Sequence, residues 1–539
     1  TTRVDGELEL NGPVNFYVGT FIVNGLLQID TPSTIAALIL SPTTIDVARF
    51  DLDGTSGNTR TELEDDLTLN VDGLDVSDSA FNGAITIYDD STLTVNLPGG
   101  AAWPMMGDLK VFDPGAWGVV SLAGSTMNVT GGGTVDVDAH TRFDAKINVH
   151  STGTVVLQNY ATLELGGGTL AEANRMLGGV VANADELNPG TLAAGSGKAL
   201  VGYGTVGSDI NFSGDSAIMA EGGTLTLRGT LLDLGGKIGT ADADGTLHVI
   251  TPWNTALADS CELNGGRIEG AQITNDGKIV GHGEIASAGL VNNGHLVALG
   301  GDLIIDTPIA PDFDGSGTED GVIDATRGSV HSRYNGFTGS YAFNGELLIG
   351  PGQFFRMDSG FLSNMGTADN EGRIIMTGGR YIADRLYQDS TLKVLADTAT
   401  LDADASFAPG SNTTLDADLQ LLHSSIVQSG ASITGSAALI NDATGRIDLD
   451  DGSDVDAHIV NRGTMYVGIT TTTQIPAAAS ARQFTQTASG TLAVDLLGTM
   501  PGSEYDQLTV TGPVALAGEI ILMIDDTNPP AIGDVYKLI

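Results

Sequence analysis

Two acidic, glycine-bent loops carry the residue types that hold a hard cation. Asp51, Asp53 and Thr55 stand in Phe50-Asp51-Leu52-Asp53-Gly54-Thr55, and Asp312, Asp314, Ser316 and Asp320 stand in and just after Asp312-Phe313-Asp314-Gly315-Ser316-Gly317. Ca²⁺ takes six to eight oxygen ligands in a flexible geometry, which closely spaced carboxylates and carbonyls on a bent loop supply. The Asp312 loop is not an EF-hand, because Ile323 occupies its twelfth position, where a bidentate Glu is required, whereas Glu62 could add a ligand to the Asp51 loop. Structural Ca²⁺ is therefore the one cofactor the sequence suggests, and acidic solvated turns are the competing reading.

Other chemistry finds less support. Adjacent carboxylates at Asp65-Asp66, Asp89-Asp90, Asp450-Asp451 and Asp525-Asp526 suit a glycosidase pair poorly, since neighbours in a strand point to opposite faces. The eight histidines are scattered singly. His282 and His295 are the pair that adjacent coils could bring together, and they lack the third ligand a zinc site needs. Cys261 is alone, so the chain has no internal disulfide, and it reads as a small buried thiol. Trp103, Trp117 and Trp253 read as packing residues more than as a sugar platform.

The elements that would position these residues are short strands. Ile273-Thr274-Asn275-Asp276-Gly277-Lys278-Ile279 returns as Leu290-Val291-Asn292-Asn293-Gly294-His295-Leu296, and Leu439-Ile440-Asn441 returns as Ile459-Val460-Asn461-Arg462-Gly463. A fixed period of about 17 to 20 residues, each with a turn signal and an alternating apolar strand, is the sequence signature of stacked coils. One coil hides only alternate side chains, so it needs neighbours above and below. The Asn-Gly, Asp-Gly and Gly-Gly steps predict positive-φ corners. Short helices are conceivable only at 170–177 and 477–482. The fold expected is all-β: an elongated parallel β-solenoid, with a right-handed β-helix as the favoured form and β-rich caps at both ends.

Composition and charge bound the function. With 41% hydrophobic but 5% aromatic residues, the chain suits a narrow core of Val, Ile, Leu and Ala. A net charge of −44 argues against nucleic acid, whose phosphates need Lys and Arg, and points to cations or a highly solvated surface. No apolar run of the length of a membrane-spanning helix is present, so no membrane span is expected. The chain reads as an exported, extracellular or cell-surface protein whose signal has been removed.

An internal duplication is also legible. The loop at Asp51 and that at Asp312 are offset by 261 residues, and Ala80-Phe81-Asn82-Gly83 and Ala342-Phe343-Asn344-Gly345 by 262. The organisation expected is an N-terminal strand region or cap at 1–48, solenoid blocks at 49–310 and 311–483, and a C-terminal cap at 484–539.

That last segment contains Gly490-Thr491-Leu492-Ala493-Val494-Asp495-Leu496, then Tyr505-Asp506-Gln507-Leu508-Thr509-Val510-Thr511-Gly512, and closes on Gly533-Asp534-Val535-Tyr536. Over about 50 residues it resembles the autotransporter-associated β-strand-repeat proteins, passenger-like β-helical surface proteins of bacteria. The resemblance implies export and a β-helical fold; some members of the family continue to an anchor or sorting region, whereas this sequence stops at Ile539.

Taken together, the residues favour a non-enzymatic structural subunit of a surface fibre, stalk or layer, joined head-to-tail to copies of itself as a homopolymer. Self-association is expected through Phe16, Phe21 and Ile22 at one end and Leu508, Val510 and Leu538 at the other. An adhesin or carbohydrate-binding protein that engages surface polysaccharide is the first alternative; a β-helix polysaccharide lyase or glycoside hydrolase is the second.

Overall fold

Within residues 2–134 the computed structural model describes the backbone of the strands and not the segments between them, and it describes most of 135–539 with side chains. The longest stretches outside the described residues after 134 are 314–320, 335–339, 365–372, 469–475 and 525–528. Two compact units divide the chain, Thr1–Ala271 and Gln272–Ile539. Each is a parallel β-solenoid, because the strands of one coil pair in parallel register with those of the next.

The register explains the sequence period. Asn275 and Asn292 are Cα partners between strands Ile273–Asn275 and Leu290–Asn292, and Asn441 and Asn461 are partners between Ser432–Asn441 and Asp454–Asn461. The 17-residue and 20-residue spacings are thus single coil steps. Side chains alternate between core and outside, as in Thr154–Leu157 of the first unit and Thr464–Val467 of the second, where every second residue is buried. The N-terminal strands pair in the same way: Gly19–Asp30 lies between Thr2–Val4 and Leu8–Asn11 on one edge and Thr43–Asp51 on the other.

Columns of like residues fill the core. In the second unit Ile323, Leu347, Ile374 and Leu392 follow one another coil by coil and all are fully buried. A second column runs Phe355, Tyr381, Leu401, Leu421, with the Phe355 and Tyr381 rings stacked at 6.0 Å. It then changes chemistry and continues as Asn441, Asn461 and Gln486.

Two expectations need correction. Both segments with helical promise are strand, Asn174–Asn183 and Ala478–Gln486, because each pairs with neighbours on both sides and that pairing overrides weak local propensity. Among the described residues the one helical element is a 3₁₀ turn at Thr255–Leu257. The Asn-x-Gly glycines also serve a purpose other than a positive-φ corner. A Cβ on Gly294 would sit 2.2 Å from the Gly277 carbonyl oxygen, and one on Gly463 would sit 2.2 Å from that of Asp442. Glycine is needed there because successive coils approach backbone to backbone. Positive φ does fall at other corner glycines, such as Gly452 of Asp451-Gly452 and Gly379 of Gly378-Gly379, at φ 74° and 79°, and also at bulges such as Gly281 and Gly283, at φ 127° and 129°, where the ladder slips register.

Candidate functional site

Most of the cation-loop residues lie outside the described residues: Asp53, Thr55, Asp314, Ser316 and Asp320, with Asp51 placed only as the last residue of strand Thr43–Asp51. Asp312 is described, and its backbone is held in the ladder. Its N–H donates to the Leu290 carbonyl at 2.8 Å, and its own carbonyl accepts from Asn292 N at 2.8 Å. Asp312 therefore begins the loop from a fixed point on the coil. Among the described residues no group of three or more His, Cys, Asp or Glu side chains is placed to hold a metal.

The remaining polar candidates serve the stack. His295 is in register with Lys278, whereas His282 lies further along its strand, with Nδ1 3.3 Å from the Leu299 carbonyl oxygen, so the two imidazoles do not meet. Cys261 is fully buried in strand Ala258–Gly270, and desolvation pushes its thiol far above the usual range. Trp253 is buried too; Trp103 is placed only by backbone, on Ala102–Met105, and Trp117 lies outside the described residues. Asp450 and Asp451 stand in a turn rather than a strand, where the Asp450 carboxylate accepts from Asp451 N and that of Asp451 accepts from Ala478 N. They cap the corner of the next coil. The other three acidic pairs lie outside the described residues.

On the outer face, charges bridge coils. Asp402 pairs with Arg380 from one neighbouring coil and with His423 Nε2 from the other, the latter at 2.7 Å. Asp358 pairs with His331 at 2.8 Å and with Arg356 at 2.9 Å. A shallow surface groove of about 390 Å³ nearby is lined by Arg385, Tyr387, Asp404, Ser406, Ser424 and Ile426. Its lining holds one aromatic ring and one carboxylate, so it contains neither a stacking platform nor a pair of acids.

The arrangement with the most unusual chemistry is the C-terminal coil. Strand Thr491–Leu496 breaks the alternation rule, for Leu492, Ala493, Val494, Asp495 and Leu496 are all buried. Its outer face is covered by the turn that follows, which comes back to bridge Leu496 with Tyr505. Asp506, fully buried, accepts from Ala477 N at 2.8 Å through Oδ1 and from Asp495 N at 2.6 Å through Oδ2. Asp495 is 2% exposed, and its Oδ1 has no hydrogen-bond partner. Desolvation raises both carboxyls. Asp506 reaches about 7, with the Asp495 charge pushing the same way and the two backbone donors opposing.

Next to it, the expected self-association residues divide. Leu508 is fully buried, and its N–H donates to the Leu538 carbonyl at 2.9 Å. Val510 and Leu538 are half-buried, and Tyr536 packs edge-on against Tyr505 at 5.2 Å. The terminal segment is thus folded onto Gln507–Val510, and Leu508 is enclosed. Phe16 stands on Val14–Phe16, and Phe21 and Ile22 on Gly19–Asp30, placed by backbone alone.

Within the apolar C-terminal stretch 508–539, also expected to supply the contact, lies the run Ile520 to Ile524 on strand Glu519–Ile524. Ile520, Leu522 and Ile524 continue the core column above Leu492, Val494 and Leu496, yet they remain 42%, 46% and 45% exposed, and Ile521 41%. Val514 and Leu516 are exposed beside them. The signal was visible as five consecutive apolar residues, which a one-face-buried strand does not need.

No family model matches the chain, and no curated protein matches it. No helix among the described residues is long and apolar enough to cross a membrane.

Proposed function

We propose that this protein is a non-enzymatic, extracellular structural subunit that joins copies of itself head-to-tail through its C-terminal coil. The observation that carries the reading is the exposed row Ile520, Leu522 and Ile524, a core column with no described residue stacked on it. Apolar side chains in a strand with an accessible edge form a template for another strand, and backbone pairing supplies affinity while the side chains set register. The N-terminal strands bearing Phe16, Phe21 and Ile22 are the proposed partner face. Such a contact joins unlike surfaces, so it propagates into a filament unless the rotation closes a ring.

The parallel stack and the Tyr505-Asp506-x-Leu508-x-Val510-x-Gly512 resemblance support the same class of exported surface protein. Ca²⁺ bound by the Asp312 and Asp51 loops is proposed as a structural ligand that moderates the charge of −44.

Sedimentation velocity and negative-stain imaging over a concentration series test the proposal. The wild-type chain should form species that lengthen with concentration, and Ile521→Lys combined with Leu522→Lys should leave monomers of unchanged circular dichroism. A wild-type chain that stays monomeric throughout, or a double variant that assembles normally, overturns it.

A further inference from the structure

The buried carboxyls behind the exposed strand give the same site a control. We propose that Asp495 and Asp506 form a proton-held latch that keeps the C-terminal coil ordered in acid and loosens it as the pair ionises. The latch itself stands on the geometry of this coil; its consequence for assembly rests on the self-association reading above.

The geometry leaves the pair little choice of charge state. Asp506 has two backbone donors, Ala477 N and Asp495 N, which tie three segments together: strand Thr491–Leu496, the covering turn, and the entry to Ala478–Gln486. Those two bonds can stabilise one negative charge. Asp495 is almost as deeply buried, and its Oδ1 has no partner. Two ionised carboxylates here would place a second charge, with an unpartnered oxygen, in a packed layer, which is unfavourable unless a proton is retained. The site is therefore best satisfied when one of the two carboxyls keeps its proton.

Several other titratable groups around the site have partners of their own. In the covering turn the Glu504 carboxylate accepts from Thr499 and Met500 N, and the Tyr505 hydroxyl accepts from Lys537 N. Arg482, on the strand that Asp506 anchors, donates to the Gly435 carbonyl. Asp451, in the turn beside it, is held by Ala478 N, and Asp450 caps that same turn through Asp451 N. Tyr466, on the strand paired at Ala493, lies under the Arg446 guanidinium. Glu519 begins the exposed strand opposite Thr491. On the terminal segment the Asp534 carboxylate accepts from Ala531 N, and Tyr536 packs on Tyr505. Among the described residues the one charge acting on Asp506 is that of Asp495.

The sign follows from linkage. A carboxyl whose folded pKa is raised binds its proton more tightly when folded, so its effect on stability becomes steadily less favourable as pH rises from the ordinary Asp range to about 7. The contribution of this carboxyl is accordingly complete at and below about pH 4 and lost above neutrality. Strand Glu519–Ile524 pairs directly with Thr491–Leu496, so loosening the latter disorders the proposed docking strand.

Hydrogen exchange read by mass spectrometry at pH 5 and pH 8, corrected for intrinsic rates, tests the latch on the full chain. Amides of 491–496 and 519–524 should lose protection by about tenfold or more between the two values. Those of Ala399–Phe407, in the same unit, should change little. Asp506→Asn and, separately, Asp495→Asn should each reduce that difference to under threefold. If the wild-type coil shows no such difference, or both variants retain it, the latch is overturned; should one variant fail to fold, the other decides. Sedimentation of the same samples separates the two claims. A coil that loosens with pH in a chain monomeric at both values leaves the latch standing and removes the self-association reading.

Discussion

Asn441 Nδ2 donates to Asn461 Oδ1 across 2.8 Å, one coil away, inside the core of the second unit. The same amide donates to the Thr464 carbonyl at 2.9 Å, and Asn461 repeats the gesture toward Thr491 at 2.8 Å. Asn275 does so toward His295, and Gln486 ends the row by holding the Ala517 and Glu519 carbonyls at 2.7 and 2.8 Å. Each amide satisfies a backbone carbonyl at the start of a strand in the next coil. The ladder thus fixes where each coil begins, and its last member fixes where the exposed strand begins.

Asn461→Leu should therefore be costly although it adds an apolar side chain to a core. It leaves Asn441 Nδ2 with one acceptor fewer and the Thr491 carbonyl without its amide donor, a loss of about 1–3 kcal/mol for buried groups. Urea unfolding of the full chain should show a lower midpoint for this variant. Asn412→Ala, at an exposed strand start, should stay within about 0.5 kcal/mol of wild type.

That ladder also marks how far the sequence could be read. The repeat of Asn275 at Asn292 and of Asn441 at Asn461 revealed the coil step, because in a solenoid sequence spacing becomes spatial register directly. The role of the asparagines did not follow, since turn residue and buried clamp share one residue type and differ only in burial. Asp495 and Asp506 were hidden for a related reason. An Asp in an alternating strand looks outward, and only the fold-back of the turn bearing Tyr505 buries it. The exposed run Ile520 to Ile524 was legible as composition, but which of the terminal apolar residues are enclosed, as Leu508 is, depends on where the last segment packs.

Acid should weaken the outer charge bridges. Burial alone would raise the Asp358 carboxyl, but His331 and Arg356 outweigh it and hold it below the ordinary value. Its contribution is consequently present above the unfolded Asp pKa and disappears as pH falls through the lower, folded one. Asp358→Asn should cost about 0.5–1 kcal/mol at pH 6, as partly exposed pairs do, and nothing near pH 2. Thermal melts at both pH values check the convergence.

Calcium should stabilise the chain through the two acidic loops. A cation that binds the folded state alone adds stability by mass action, roughly 2.7 kcal/mol at a hundredfold excess over its dissociation constant. Adding millimolar Ca²⁺ at low salt should raise the melting temperature, and a chelator should reverse it. Asp314→Ala and Asp53→Ala should each remove part of the increment. An increment untouched by both changes would assign the effect to general screening of the −44 charge.

The N-terminal face offers the sharpest check on how copies join. Strand Gly19–Asp30, which carries Phe21 and Ile22, is paired on both edges, so its backbone is not free to receive another molecule. The short strands Thr2–Val4 and Leu8–Asn11 cover it, and any partner that adds at this face must meet them first. Removing residues 1–12 should leave the strand signal in circular dichroism largely intact while shortening or abolishing the assemblies seen by sedimentation. If the deletion assembles like wild type while Ile521→Lys combined with Leu522→Lys does not, the contact joins two C-terminal coils. A like-to-like contact closes on itself as a dimer, and the chain would then be a paired rather than a filamentous building block.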